Sequence, residues 1–209
     1  MHSRLVLPVL VFAACSSEGS STNNEKTSEA NGPRLAGVYP DKFQCESVTP
    51  VATLNTTLGG TTRVVDNPMT PPKGIMHPCN YQIDIAGQFE YWTWDADCRD
   101  GYKQRADALF AQYAHDSADM VTQYNAAADA GIKPTDAGYV MHAPTGASEV
   151  QVGAKALDHH GQGLLFIDDD APCYVRVVGP DAGRRLALAQ LIAKNLTFDN
   201  APMTPRRAR

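Results

Sequence analysis

The sequence predicts an α+β fold: an antiparallel sheet built from two helix-plus-three-strand halves, with helices packed on one side and two disulfides. Three observations carry this. Apolar residues alternate in short runs, NYQIDI, FEYWTW and CYVRVVG among them, which is the period of a half-buried antiparallel strand. Between the runs lie segments whose apolar residues recur at helical spacing. Cys45, Cys79, Cys98 and Cys173 all fall downstream of the tether described below, and an even number in an exported chain implies two bridges.

The elements follow in order. Ser47 or Thr49 caps a first helix, with Pro50 at an early position where its missing N–H costs little. The helix runs to Leu58 and stops at Gly59-Gly60. A strand near 62–65 follows, then the turn-rich NPMTPPKGIMHP. In NYQIDI, Tyr81, Ile83 and Ile85 share one face and Gln82 and Asp84 the other; FEYWTW after Gly87 completes a hairpin. Over 100–128 the spacing turns helical through Tyr102, Ala106, Leu109, Phe110, Tyr113, Met120, Val121 and Tyr124. Asp116-Ser117 offers a break there, with Ser117 capping a second helix, and Gly131 and Pro134 end the segment. Three strands then fall near EVQVG, GLLFI and CYVRVVG, the last two joined by a turn at Asp168-Asp169-Asp170-Ala171-Pro172. Asp181 caps a closing helix that carries Leu188, Leu191, Ile192 and Leu196.

The N-terminus MHSRLVLPVLVFAAC has one basic residue, Arg4, an apolar run over 5–14, and two alanines before Cys15. That run is shorter than the roughly 20 residues a spanning helix needs, and it fits the apolar region of a secretory signal. Ala13-Ala14-Cys15 resembles a bacterial lipobox, although Phe12 stands where that family usually has Leu. The resemblance implies cleavage before Cys15, a diacylglyceryl group on its thiol and acylation of the new N-terminus. More than one chain is what stable anchoring requires. Residues 1–14 are then the signal peptide, and 15–37 a flexible polar tether too poor in apolar residues to fold. Residues 38–200 form one α+β domain, and 201–209 a basic disordered tail. Ser16 beside the lipidated cysteine resembles an outer-membrane sorting signal in Gram-negative bacteria. The expected location is the bacterial cell envelope, outside the cytoplasm, with the membrane as a partner through Cys15.

Removing 1–14 takes only Arg4 from the 18 basic residues and none of the 23 acidic ones, leaving a net charge of −6. That argues against nucleic acid, which wants a basic stripe. After the tether about 170 residues remain, enough for one domain with a proper core. There is no C-x-x-C, so neither a thioredoxin-type motif nor a zinc ribbon is indicated. Cys45, LNTTLGG and Cys79-Asn80-Tyr81, with the GLLFI…CYVRVV hairpin and closing helix, resemble the small secreted lipoproteins of unknown function common in actinobacteria and myxobacteria. The resemblance spans most of the mature chain through loose motifs, and it brings no established activity. On that layout the favoured bridges are Cys45–Cys79 and Cys98–Cys173, out of three pairings that four cysteines allow.

Trp92 and Trp94 share one strand face with Glu90, while Phe89 and Tyr91 line the other, and one face must be core. Buried tryptophans would be merely structural, the commoner fate of large aromatics. If Phe89 and Tyr91 are core instead, Glu90, Trp92 and Trp94 form an exposed platform for a sugar ring or a partner. His159-His160 with Asp168, Asp169 and Asp170 is the densest set of metal-ligand types. Adjacent histidines on a strand point to opposite faces and Asp is favoured in turns, so a solvated turn is expected. WDADCRDG offers Asp95, Asp97 and Asp100, but EF-hand spacing fails: position 5 is Arg99 and position 12 is Ala106. Acidic residues that start a helix explain Asp97 and Asp100 better.

The chain lacks G-x-S-x-G, H-E-x-x-H, P-loop and G-x-G-x-x-G motifs. No cofactor and no metal is expected. His77 and His142 lie in Pro/Gly-containing loops, where an acid/base pair could assemble. The sequons at Asn55 and Asn195 matter only in a eukaryotic secretory route. Arg206, Arg207 and Arg209 could touch anionic lipid or polymer. The leading expectation is a lipid-anchored, non-catalytic domain that binds an envelope glycan, other ligand or protein partner. The alternatives are an envelope hydrolase with a loop-built His/Asp site, and a structural or immunity-type envelope protein without a small ligand.

Overall fold

A computed structural model describes residues 35–66, 70–129, 146–204 and 206–207, all within the unit Pro33–Arg209. Helix α1 (Val51–Leu58) opens at Pro50, whose φ of −58° suits a helix entry, and closes at Gly59, left-handed at φ 73°. Neither Ser47 nor Thr49 is its cap. Ser47 donates to the Gln44 carbonyl, and Thr49 turns inward, donating to Cys45 and meeting Tyr81 Oη at 2.6 Å and Trp94 Nε1 at 3.1 Å. A buried hydroxyl with three partners holds more than an exposed cap would.

Beyond a short strand β1 (Leu35–Ala36), the chain builds β2 (Thr61–Val64), β3 (Cys79–Ile85) and β4 (Gln88–Asp97) as a first meander. After helix α2 (Tyr102–Asp129) a second meander follows: β5 (Ser148–Glu149), β6 (Lys155–His159), β7 (Gly163–Ile167) and β8 (Tyr174–Val178). Antiparallel pairing of β4 with β8 joins the two into one seven-stranded sheet, ordered β2-β3-β4-β8-β7-β6-β5. Helix α3 (Ala182–Asn195) closes the domain, capped by Asp181, which accepts from the Arg184 N–H at 2.8 Å.

The second half thus carries four strands. The EVQVG segment pairs only through Ser148 and Glu149 before bending, and KALDH supplies β6, a strand its mixed composition had not announced. Helix α2 runs unbroken through Asp116-Ser117; Ser117 instead accepts from the Ala147 N–H at 2.6 Å. Gly131 and Pro134, the expected helix stops, lie outside the described residues.

The α+β class and both disulfides, Cys45–Cys79 and Cys98–Cys173, are as expected. Helices on one side only are not. Leu164, Phe166, Val175 and Val177 face α1 and α3 in the larger core, whereas Leu165 and Ile167 face Ala106, Phe110 and Tyr113 of α2. Because alternate residues of a strand face opposite ways, α2 covers the other side of the sheet.

Arg185 of α3 is buried with Asp158 of β6, its Nε and Nη2 each 2.7 Å from a carboxylate oxygen and its Nη1 2.6 Å from the Gly179 carbonyl. The tail is not disordered from 201: Ala201 and Met203 are buried in the main core, and the Val38 N–H bonds the Ala201 carbonyl at 3.0 Å. Strand β9 (Arg206–Arg207), inside the expected tail, pairs antiparallel with β1, inside the expected tether. Apolar Ala201 and Met203 give that end of the chain a core to join.

Candidate binding cleft and open sheet face

Of the two readings of β4, burial of the tryptophans holds, and the exposed platform of Glu90, Trp92 and Trp94 does not form. Both tryptophans are 0% exposed and point into the core beneath α1 and α3. Trp92 packs flat against Gly179, where any Cβ would overlap its ring, and its Nε1 donates to Glu90 Oε2 at 3.1 Å. Glu90 is held by Arg184 of α3 at 2.8 Å. Odd-numbered residues of β4 therefore face the other way, and Phe89 and Tyr91 are 62% and 66% exposed.

That other face is half covered. Helix α2 packs over β6, β7 and β8 through Phe110 and Tyr113, leaving β2, β3 and the start of β4 open. On the open part, register brings Arg63, Gln82 and Tyr91 into one row, with Asn80, Thr93 and Val178 in the next. Arg63 Nη2 donates to Gln82 Oε1 at 2.7 Å, Gln82 Nε2 donates to Tyr91 Oη at 3.0 Å, and Thr93 Oγ1 donates to Asn80 Oδ1 at 2.8 Å. Aromatic faces thus stand exposed beside amide, hydroxyl and guanidinium groups.

Toward α2 the same face becomes charged. Asp95 of β4 pairs with Arg176 of β8 at 2.8 Å, directly across the seam. Asp97 ends β4 rather than starting a helix, and its two oxygens accept from Arg99, from Arg105 in the first turn of α2, and from Tyr174 Oη at 3.3 Å. Burial pushes the Asp97 carboxyl up, but the hydrogen bonds from Arg99 and Arg105 outweigh it and hold the group well below the usual carboxylate range. Asp95 goes the other way, because its desolvation exceeds the pull of Arg176.

A cleft of about 360 Å³ opens over these groups. Its floor is Asp95, Arg176, Tyr174 and Asp97; its walls are Pro71, Pro72, Ile75 and Pro78 on one side and Leu109 of α2 on the other. Proline fixes φ, which lowers the conformational entropy that wall has to lose on binding. Mostly apolar walls with a few convergent polar groups are the usual make-up of a small-molecule site.

Asp97 supplies a pH signature. A depressed folded-state pKa contributes stability above the unfolded value near 4, lost as pH falls toward the folded value. Asp97→Asn is expected to cost about 2–3 kcal/mol at pH 7 and to flatten the loss of stability between pH 4 and 2. Urea unfolding of both proteins across that range checks it.

The remaining candidates do not converge. His159 is buried against Tyr113, its Nδ1 accepting from the Gly161 N–H at 3.1 Å. The β6–β7 register puts it opposite Gly163, at the far end of the hairpin from Asp168. Asp168 Oδ1 instead accepts from the Asp170 and Ala171 N–H groups, the expected turn, and burial raises its pKa. Among the described residues no group of three or more His, Cys, Asp or Glu could hold a metal ion, and no helix is long and apolar enough to cross a membrane. His77 lines a second groove behind Pro71 and Pro72, and His142 and Cys15 lie outside the described residues. Arg105, Tyr174 and Arg176 were not anticipated: the β4–β8 pairing brings Tyr174 and Arg176 to Asp97 and Asp95, and the first turn of α2 brings Arg105 to Asp97. No family model, curated protein or solved structure matches the chain.

Proposed function

We propose that the chain is an exported, lipid-anchored envelope protein whose domain binds its ligand without chemistry, on the open half of the sheet. The observation that carries this is the pair Phe89 and Tyr91, exposed side by side on the face that α2 leaves uncovered. Large apolar groups are normally withdrawn from water, and exposed aromatics beside hydrogen-bonding groups suit the apolar face and hydroxyl rim of a sugar ring. Gln82, Arg63, Asn80 and Thr93 provide such groups. An envelope glycan is therefore the ligand the surface fits best. Two disulfides support export, since they persist in oxidising compartments. Attachment through an acylated Cys15 would keep the domain near that glycan.

Phe89→Ser with Tyr91→Ser should leave the unfolding temperature within a few degrees of wild type, both side chains being mostly exposed. The double variant should fail to co-sediment with purified cell-wall glycan that retains the wild-type protein. Equal retention of the two proteins would remove this face as the ligand surface.

A further inference from the structure

The cleft at the β4–β8 seam shows a second ligand chemistry, separate from the Phe89–Tyr91 surface. Arg176 directs both Nε and Nη2 at a single oxygen, Asp95 Oδ2, at 3.2 and 2.8 Å. No described residue hydrogen-bonds Asp95 Oδ1 or Arg176 Nη1. Among the described residues, each head group therefore keeps one strong hydrogen-bonding position for a visitor. Asp97 does not, because Arg99, Arg105 and Tyr174 already occupy its oxygens.

Charge narrows the visitor. Asp95 and Arg176 cancel, so a ligand of either single sign would leave a net charge beside Asp95, whose side chain is largely withdrawn from water while that of Arg176 is half exposed. A ligand with both signs leaves none. The two protein groups touch, so the ligand's charges must also be neighbours, as they are when ammonium and carboxylate share one carbon. Beyond the head groups the walls are Pro71, Pro72, Ile75 and Leu109, which call for an aliphatic or aromatic body. The raised pKa of Asp95 agrees with an acid whose burial is incompletely offset by Arg176 alone and which an added ammonium would stabilise.

We propose that this cleft binds an apolar α-amino acid as its zwitterion, the carboxylate on Arg176 and the ammonium on Asp95, with the side chain between Leu109 and the Pro71-Pro72 wall. The assignment rests on the reading of the chain as a binding protein and adds a small-molecule site to it. Arg176 donates Nη1–H to the ligand carboxylate, and Asp95 Oδ1 accepts from the ammonium. The Arg99–Asp97–Arg105 cluster, net positive, lies beside the site and favours the carboxylate end.

Calorimetric titration of the mature protein with leucine, N-acetyl-leucine, leucinamide and N-acetyl-leucinamide tests this, because each blocked form removes one charge and keeps the body. Leucine should bind at least tenfold more tightly than either singly blocked form, and more tightly still than the doubly blocked one. Asp95→Asn should abolish discrimination against N-acetyl-leucine while keeping that against leucinamide; Arg176→Gln should do the reverse. If either variant misfolds, the wild-type series decides alone. Any blocked form binding as tightly as leucine overturns the head-group assignment but leaves the cleft as an apolar site. No heat from any of the four at millimolar concentration overturns the cleft as an amino-acid site. Neither outcome touches glycan retention through Phe89 and Tyr91, which fails or holds by its own experiment.

Discussion

Arg185→Ala should lower the unfolding free energy by about 3–5 kcal/mol, the cost of breaking a buried pair by removing one partner. The side chains of Arg185 and Asp158 are 2% and 9% exposed, so the lost cation leaves a carboxylate with little water to replace it. The Gly179 carbonyl loses its 2.6 Å donor as well, at the point where Gly179 packs on Trp92. A domain of this size is stable by only about 5–15 kcal/mol, so the variant should unfold well below the wild-type temperature. Replacing both partners with apolar residues, Arg185→Met with Asp158→Leu, should recover most of the loss, since no charge is then stranded. Urea denaturation of the two variants and wild type separates the outcomes. A double replacement as damaging as the single one would mean that geometry, not the stranded charge, sets the cost.

Removing the Cys98–Cys173 bridge with a pair of alanines should cost about 4 kcal/mol in the chain-entropy picture, given a sequence separation of 75. The Cys45–Cys79 bridge spans 34, and the same reasoning makes it worth less by about 0.7 kcal/mol. Location widens the gap. Cys45–Cys79 fastens the turn before α1 to the start of β3, within the first meander. Cys98–Cys173 sits at the end of the β4–β8 seam, where the two meanders join, next to the paired Asp97 and Tyr174. Comparison of the two double-alanine proteins by urea denaturation should therefore find the Cys98/Cys173 variant the weaker. The opposite order would show that the seam holds without its staple.

Strand periodicity was legible in the sequence, and so was the closing helix with its Asp181 cap, because both depend on neighbours close along the chain. Which face of β4 is core was not legible. Phe89, Tyr91, Trp92 and Trp94 are all apolar, so alternation separates them into two sets without saying which set is covered. Residues remote in sequence decide it: Gly179 makes room for Trp92, and Phe43 and Thr49 receive Trp94. The second face of the sheet left a signal in GLLFI, a run without polar alternation. All five residues are buried, as a strand covered on both sides requires, and α3 and α2 supply the two covers. The cleft was hidden for a stronger reason. Asp95 and Arg176 meet across 81 residues, and no local pattern announces a pair at that separation. Reading Asp97 as a helix starter failed for a local reason: β4 runs through Asp97, and its partners Arg99 and Arg105 lie two and eight residues ahead.

The most direct test of an anchored, doubly bridged, exported protein is intact mass, before and after reduction, of material from the membrane fraction of its native host. The expected species begins at Cys15, carries a diacylglyceryl group with or without a further acyl chain, and gains four hydrogens on reduction of its two bridges. A soluble, unacylated chain that begins elsewhere would contradict the anchor and the envelope function proposed from it.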